Sequence, residues 1–316
     1  MLSNSARTTS ALATLVVLAA TLAGCGSSGP SATTVAIFKT QTPATVDQLN
    51  TIATIVRNRL AAYGVAGSTV AVKAANEVVV SIPGSKPMEQ TLNEVSTAGH
   101  LSFRPGLCYA PAYSPGPGGT AAVGALPACS PLNALTAENM NPTIAADGNI
   151  RENSPTPDPQ FAGYPSSTPQ SDNPAGTVIL PFEPGYSGYY QSTPRLVVGP
   201  AGVTNSAIRS ATPQSQLGTW VVDVVLTDQG TTAWDNLARK QFHALIAIDL
   251  DGGILSAPVT EVGERAFSSF NGSVQIAGGF TQSSAKALAI ELGTGALPVE
   301  LTLTGTSVVA GRGPTG

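Results

Sequence analysis

The chain has 316 residues, a net charge of −4 and only 11% charged residues, and its Lys and Arg never gather into a run. Phosphate contacts need a clustered basic face, so nucleic acid is excluded as a partner. Two histidines and three cysteines are too few ligands for a metal centre, and nothing in the chain calls for a cofactor.

Residues 1–24 have the form of an export signal. Arg7 supplies a positive start, Ala11 to Leu22 is apolar and small residues follow. This stretch falls short of the roughly 20 apolar residues that span a bilayer. Leu22-Ala23-Gly24-Cys25 matches the bacterial lipobox, which makes Cys25 the acylated N-terminus of the mature chain. The alternative is an ordinary secretory signal cut nearby, with Cys25 a bystander. Several acyl chains matter because one alone binds a membrane only marginally. Residues 25–32 then form a short Gly/Ser/Pro tether, and no later segment is long and apolar enough to span. The expected mature protein is a soluble body on a lipid tether.

A first unit is expected over 33–104. Thr33 to Lys39 reads as a strand. Thr45-Val46-Asp47-Gln48 has the form of a capping box, and Leu49, Ile52, Val56, Leu60 and Tyr63 share one helical face up to a C-terminal Gly64. Val70 and Val72 mark a second strand. Val78 to Ile82 make a third, stopped by Pro83-Gly84. A short helix from about Pro87 turns Met88, Leu92 and Val95 inward, and Leu101 and Phe103 alternate as a fourth strand. Strand-helix-strand-strand-helix-strand is the ferredoxin-like arrangement, with two helices on one face of an antiparallel sheet.

Residues 105–194 hold 16 of the 25 prolines. Proline removes backbone donors and fixes φ, so the interval is expected to be a partly disordered insertion acting as a spacer. Tyr186, Tyr189 and Tyr190 pack on a neighbour or contact a ligand in the alternative reading. Cys108 and Cys129, in an exported chain, are expected to pair with each other and close a loop of about 20 residues.

A second α+β unit is expected over 195–305. Trp220 to Leu226 is apolar on both faces and so central. Asp228 is expected to cap a helix bearing Ala233, Trp234, Leu237 and Ala238. Leu245–Leu250 and Ile254–Val259 form a hairpin around Asp251-Gly252-Gly253. Ser273–Ala277 is a strand, and Gly278-Gly279 leads into a helix capped by Thr281 and carrying Ala285, Leu288, Ala289 and Leu292. Val299–Thr304 closes the unit or returns a strand to the first, and 306–316 is a flexible tail.

Several motifs occur in order here: Asp251-Gly252, Ser256-Ala257-Pro258, Gly278-Gly279-Phe280-Thr281 and Gly295-Ala296-Leu297-Pro298. With them the chain resembles the extracytoplasmic domain of SecD, a membrane subunit that assists protein export. NRLAAYGV, EVVVSIPG and HLSFR in the first unit are similar to the start of that domain. The resemblance implies an α+β fold of a ferredoxin-like base and a SecD-type head. It also implies a place on the outer face of the cytoplasmic membrane, with the Sec channel as a possible partner; low charge with abundant Ala, Gly, Thr and Pro suits a GC-rich Gram-positive bacterium as the source. The motif residues themselves read as fold determinants: a turn at Asp251-Gly252, a strand end at Pro258, helix entry at Gly279-Phe280-Thr281 and helix exit at Gly295.

The chain has no Gly-x-Ser-x-Gly elbow, no phosphate-binding glycine loop and no ligand cluster, so no catalytic set is expected. His243 reads as a satisfied structural histidine, and His100 has no nucleophile near it in sequence. The leading expectation is a lipid-anchored module that binds exported or unfolded polypeptide, without proton coupling of its own. The alternative is an envelope lipoprotein that uses the same fold to hold a folded partner.

Overall fold

The computed structural model describes residues 32–73, 76–85, 88–140, 143–144, 150–151, 156–184, 195–261 and 264–310. The expected signal, Cys25, Tyr186, Tyr189 and Tyr190 lie outside the described residues. In chain order the elements are β1 (Thr33–Thr40), α1 (Val46–Ala62), β2 (Thr69–Lys73), β3 (Glu77–Pro83), α2 (Glu89–Ser96), β4 (Leu101–Ala110), α3 (Ala137–Met140), β5 (Thr143–Ile144), β6 (Ile150–Arg151) and β7 (Val178–Pro181). There follow β8 (Arg195–Val198), β9 (Val203–Thr204), β10 (Ile208–Gln216), β11 (Thr219–Leu226), α4 (Asp228–Lys240), β12 (Ile246–Leu250), β13 (Gly253–Ser256), β14 (Ser273–Phe280), α5 (Gln282–Thr294) and β15 (Leu301–Val309). The class is α+β with antiparallel sheets, as the sequence indicates.

The base forms from the local signals described above. Thr45 Oγ1 accepts from Gln48 N at 3.2 Å and Gln48 Oε1 accepts from Thr45 N at 2.9 Å, so both donors at the start of α1 are satisfied. Gly64, at φ +81°, stands just beyond the helix in the left-handed region that ends it. Leu49, Ile52, Val56 and Leu60 meet Phe38, Val78, Val80, Leu92 and Val95 in one core.

The fourth strand of this sheet is not the expected one. The order is β15-β1-β3-β2, and β4 lies in a different sheet. The reason is burial. Residues 101–104 and 108–110 of β4 are buried on both faces, which suits a central strand. The place beside β1 is covered on one face only, and LTLT at the start of β15 alternates to match it, with Leu301 and Leu303 turned to the base core. Residues 306–309, expected as tail, are the end of this strand.

The Pro-rich interval also departs from expectation. Among its described residues, β4 runs on to Ala110 and β7 pairs with β8. The sheet β13-β12-β4-β8-β7, with β9 beside β4, is brought round on itself by a bridge between Phe182 and Ile254. Its interior holds Tyr109, Leu180, Leu196, Val198, Leu245, Ala247 and Ile254. Most of the described prolines sit in loops or at strand ends, and Pro105 is accommodated within β4 just before a register shift between Gly106 and Cys108, while short β-branched runs supply the ladder. Outside this barrel, Cys108 and Cys129 form a disulfide with a Cα–Cα distance of 6.0 Å and help to bury Phe161, Ile179 and Val197. Replacing both cysteines by alanine is expected to cost about 3 kcal/mol in the chain-entropy account of a loop this size. Guanidinium unfolding checks this, and an unchanged midpoint would refute it.

In the head, β11 is central between β10 and β14. Val222, Val224 and Leu226 are buried on one face, with Asp223 and Val225 toward solvent on the other, so the central place holds although only one face is fully covered. Two details differ from the sequence reading. Thr227, not Asp228, caps α4, accepting from Gly230 N at 3.0 Å. Gly278-Gly279 form a bulge inside β14, because Val221 pairs with Ala277 while Trp220 pairs with Phe280. Thr281 then caps α5 in a reciprocal arrangement with Ser284. The α4 and α5 residues Trp234, Leu237, Leu288 and Leu292 share a core with Val222, Val224, Ile276 and the barrel residues Phe103 and Ile248.

Candidate functional site

The motif residues near the chain's C-terminal half converge on the junction of base, barrel and head. Asp251 and Gly252 form a two-residue hairpin loop at φ 51° and 81°, with Leu250 opposite Gly253. Positive φ at both positions favours Gly and Asp here. The Asp251 carboxylate also reaches across, accepting from Gly99 N at 2.9 Å and His100 N at 2.8 Å. That holds the segment between α2 and β4, a role beyond turn formation. His100 Nδ1 lies 3.6 Å from the same carboxylate, and Asp251 raises the imidazole above its ordinary value.

At the other motif, Gly295 leaves α5 at φ +91°. Its carbonyl accepts from Arg59 Nη2 at 2.9 Å, while Leu297 N donates to Ala98 O at 2.8 Å. The Leu297 side chain is buried in the base core. Arg59, fully buried at the end of α1, donates as well to the carbonyls of Val95 and Thr97 and to the Thr294 hydroxyl. Glu291 accepts from the Thr97 hydroxyl at 2.6 Å. Burial pushes the Glu291 carboxyl up and the Arg59 guanidinium down.

A second buried arginine sits in β4. Arg104 donates through Nε to Gly199 O at 2.9 Å, through Nη1 to Asp172 at 2.7 Å and Asp249 at 3.3 Å, and through Nη2 to the Asn173 and Gly176 carbonyls at 3.0 and 2.7 Å. It pins the 172–176 loop onto the barrel. Asp249 is pushed up to about 7 by burial and by Asp172, against the pull of Arg104.

Two kinds of recess result. Adjoining clefts of about 290 and 250 Å³ share Pro169, Asp251 and Glu300 at the junction, and most of their lining residues are polar, two of the shared ones acidic. A larger cleft of about 580 Å³ runs between the disulfide loop at 126–129, the 135–137 entry into α3 and residues 240–242 at and beyond the end of α4. It is mainly apolar, with Lys240 at its border.

The remaining motif residues lie elsewhere. Ser256 pairs with Ile248 and Ala257 enters the barrel core, while the Pro258 carbonyl accepts from Ile246 N at 3.1 Å. Gly279 and Phe280 lie at the end of β14, and Thr281 caps α5. His243 Nε2 lies 2.9 Å from the Glu264 carbonyl and its ring stacks on Phe242 at 3.9 Å. Among the described residues no three His, Cys, Asp or Glu side chains gather as a metal site. Sequence reasoning passed over Arg59, Glu291, Arg104 and Asp249. The available signal was a charge inside an otherwise apolar strand or helix face, as in LSFR and IAIDL.

Family models place the chain among known proteins. Residues 49–106 match the N-terminal part of the P1 domain of protein translocase subunit SecDF, and residues 185–299 match the SecDF P1 head subdomain. Protein translocase subunit SecD of Sebaldella termitidis is 35% identical over 112 residues, which is 35% of this chain and 26% of that protein. The crystal structure of SecDF in a super-membrane-facing form aligns with 89% of this chain and 30% of its own, at a TM-score of 0.57 and 18% identity. A second structure, of a membrane component SecDF that enhances protein export, aligns over 86% of this chain and 98% of its own, at 0.53 and 19%. The chain thus spans about a quarter of the SecD relative's length.

Proposed function

The chain belongs to the SecD family, carrying both the N-terminal and head parts of its extracytoplasmic P1 region, and on that premise we propose that it binds exported or unfolded polypeptide as an accessory to protein translocation. The observation that carries this reading is the pairing of a 580 Å³ apolar cleft with antiparallel sheets whose outer strands lack a further partner among the described residues. Strand addition gives affinity through main-chain bonds without demanding a sequence, and an apolar recess takes a side chain of any hydrophobic residue. Such a module performs no bond-breaking step, and the work is capture.

Among the described residues no helix is long and apolar enough to cross a membrane. We assign attachment to acylation of Cys25 within Leu22–Cys25, on the outer face of the cytoplasmic membrane and within reach of the Sec channel. The mass of the mature N-terminal peptide tests that anchor. The binding itself is tested by fluorescence anisotropy with a labelled polypeptide kept unfolded by reduction and alkylation. Saturable binding at micromolar concentration, lost when the same polypeptide is folded, is the expected result. A flat titration with folded protein overturns the reading. Crosslinking to a single folded partner, with no unfolded clients, favours a scaffold instead.

A further inference from the structure

We propose that the outer edge of β15 is where an extended client segment pairs with the base sheet, close to the membrane; this rests on the polypeptide-binding reading above. The register identifies the free groups. Thr40 pairs with Leu301, Gln41 N donates to Glu300 O at 3.0 Å, and Thr304 Oγ1 donates to Ile37 O at 3.0 Å. All three contacts fit one antiparallel register. In such a ladder alternate residues direct both N–H and C=O to the same neighbour. Since the bonded pair includes Glu300, the even positions Thr302, Thr304, Thr306 and Val308 face β1. Leu303, Gly305, Ser307 and Val309 therefore aim their N–H and C=O groups outward, where the sheet has no further strand among the described residues.

The other sheet ends are poorer templates. β10 carries Pro213 in its middle, and β2 is five residues long and ends in Lys73. Proline, short length and lysine are the devices that discourage edge pairing. β14 is bent by its Gly278-Gly279 bulge, and β7 and β13 meet through the Phe182–Ile254 bridge. β15 has nine residues, LTLTGTSVV, with neither proline nor charge. Its far half is uncovered, with Val308 58% and Val309 52% exposed.

Position supplies the occupant. Extending the same register sets Val308 and Val309 beside Thr33 and Ala32. Cys25 lies seven residues before Ala32, a reach of at most about 25 Å for extended chain. An acylated Cys25 thus keeps this free edge near the bilayer surface, where an exported chain leaves the membrane before it folds. Lys39, the charge nearest along β1, is paired with Glu77 at 3.3 Å beside Thr302. Along the free half of the edge the neighbouring side chains on that face are Val35, Ile37, Thr304, Thr306 and Val308. They suit an uncharged, proline-free client rich in Val, Ile and Thr, through cross-strand pairs of β-branched residues. A second copy adding antiparallel to β15 would send the two tethers to opposite ends of the joined edge. A client strand meets no such constraint.

The test uses the mature protein in mild detergent and a fluorescein-labelled twelve-residue peptide of Val and Thr. Ser307→Pro removes one outward N–H and leaves the β1 ladder bonds in place, while Ser307→Ala keeps it. Binding is expected to weaken tenfold or more in Ser307→Pro and to be unchanged in Ser307→Ala, with wild-type circular dichroism in both. In the wild-type protein, hydrogen exchange should show the peptide protecting amides at Leu303, Gly305 and Ser307, which reads the same contact without a substitution. Equal binding by Ser307→Pro, or protection elsewhere, overturns the β15 assignment and leaves polypeptide binding standing. Absence of any binding by the wild type removes both. Self-association that Ser307→Pro abolishes, without peptide protection, makes the occupant a second copy and overturns the proposal.

Discussion

Replacing Arg104 by methionine is expected to destabilise the protein by about 3–5 kcal/mol, the scale of breaking a buried ion pair by removing one partner. The side chain is fully buried and donates to five acceptors, two of them carboxylates. Methionine fills much of the volume but leaves Asp249, Asp172 and three carbonyls without their donor. The loss should also depend on pH. Asp249 already stands at about 7 in the folded protein, above the ordinary carboxylate value of about 3.9. The folded state therefore holds a proton that the unfolded state has released between roughly pH 4 and 7. Wild-type stability from this group is present below about pH 4 and is lost as pH rises through 7. Without Arg104 the carboxylate is harder still to ionise, so the variant should lose more at pH 8 than at pH 5. Asp249→Asn should flatten the wild-type pH dependence over that range. Urea unfolding at the two pH values decides it, and equal losses at both, or a loss under about 1 kcal/mol, would sink the account.

Arg59→Met is expected to cost a comparable amount, about 3–4 kcal/mol, and to loosen one place in particular. Arg59 satisfies carbonyls at the ends of α2 and α5 together, so it holds base and head in one geometry. Its removal also leaves the buried Glu291 without a nearby positive charge. Lysine should not rescue, because one ammonium cannot reach acceptors spread over Val95, Thr97, Thr294 and Gly295. Hydrogen exchange should rise first at the C-terminal turns of α2 and α5. Uniform exchange across the molecule, or full rescue by Arg59→Lys, would show that the side chain contributes only bulk.

Much of the base and head was legible because their signals are local. The capping residues Thr45 and Thr281, the apolar stripe of α1 and the Asp251-Gly252 hairpin act within a few residues, and each stands where the sequence indicates. Strand partnership was less legible. Leu101–Phe103 and Val299–Thr304 both read as strands, but which one lies beside β1 depends on how much apolar surface each buries on both faces. That quantity exists only once the barrel has formed. The Pro-rich interval misled for a related reason, since proline counts report backbone freedom and are blind to the short runs around Val178–Pro181 that non-local pairing recruits.

From the sequence alone came the α+β class, the caps of α1 and α5 and the resemblance to SecD, set by short-range spacing or by motif order, and the pairing of Cys108 with Cys129, set by cysteine count and an exported context. Tertiary structure decided that β15 completes the base, that Arg59 and Arg104 are the buried joints, and that β15 keeps an open edge. Those outcomes turn on the desolvation of charges and on the two-sided burial of strands, which depend on residues tens to hundreds of positions apart.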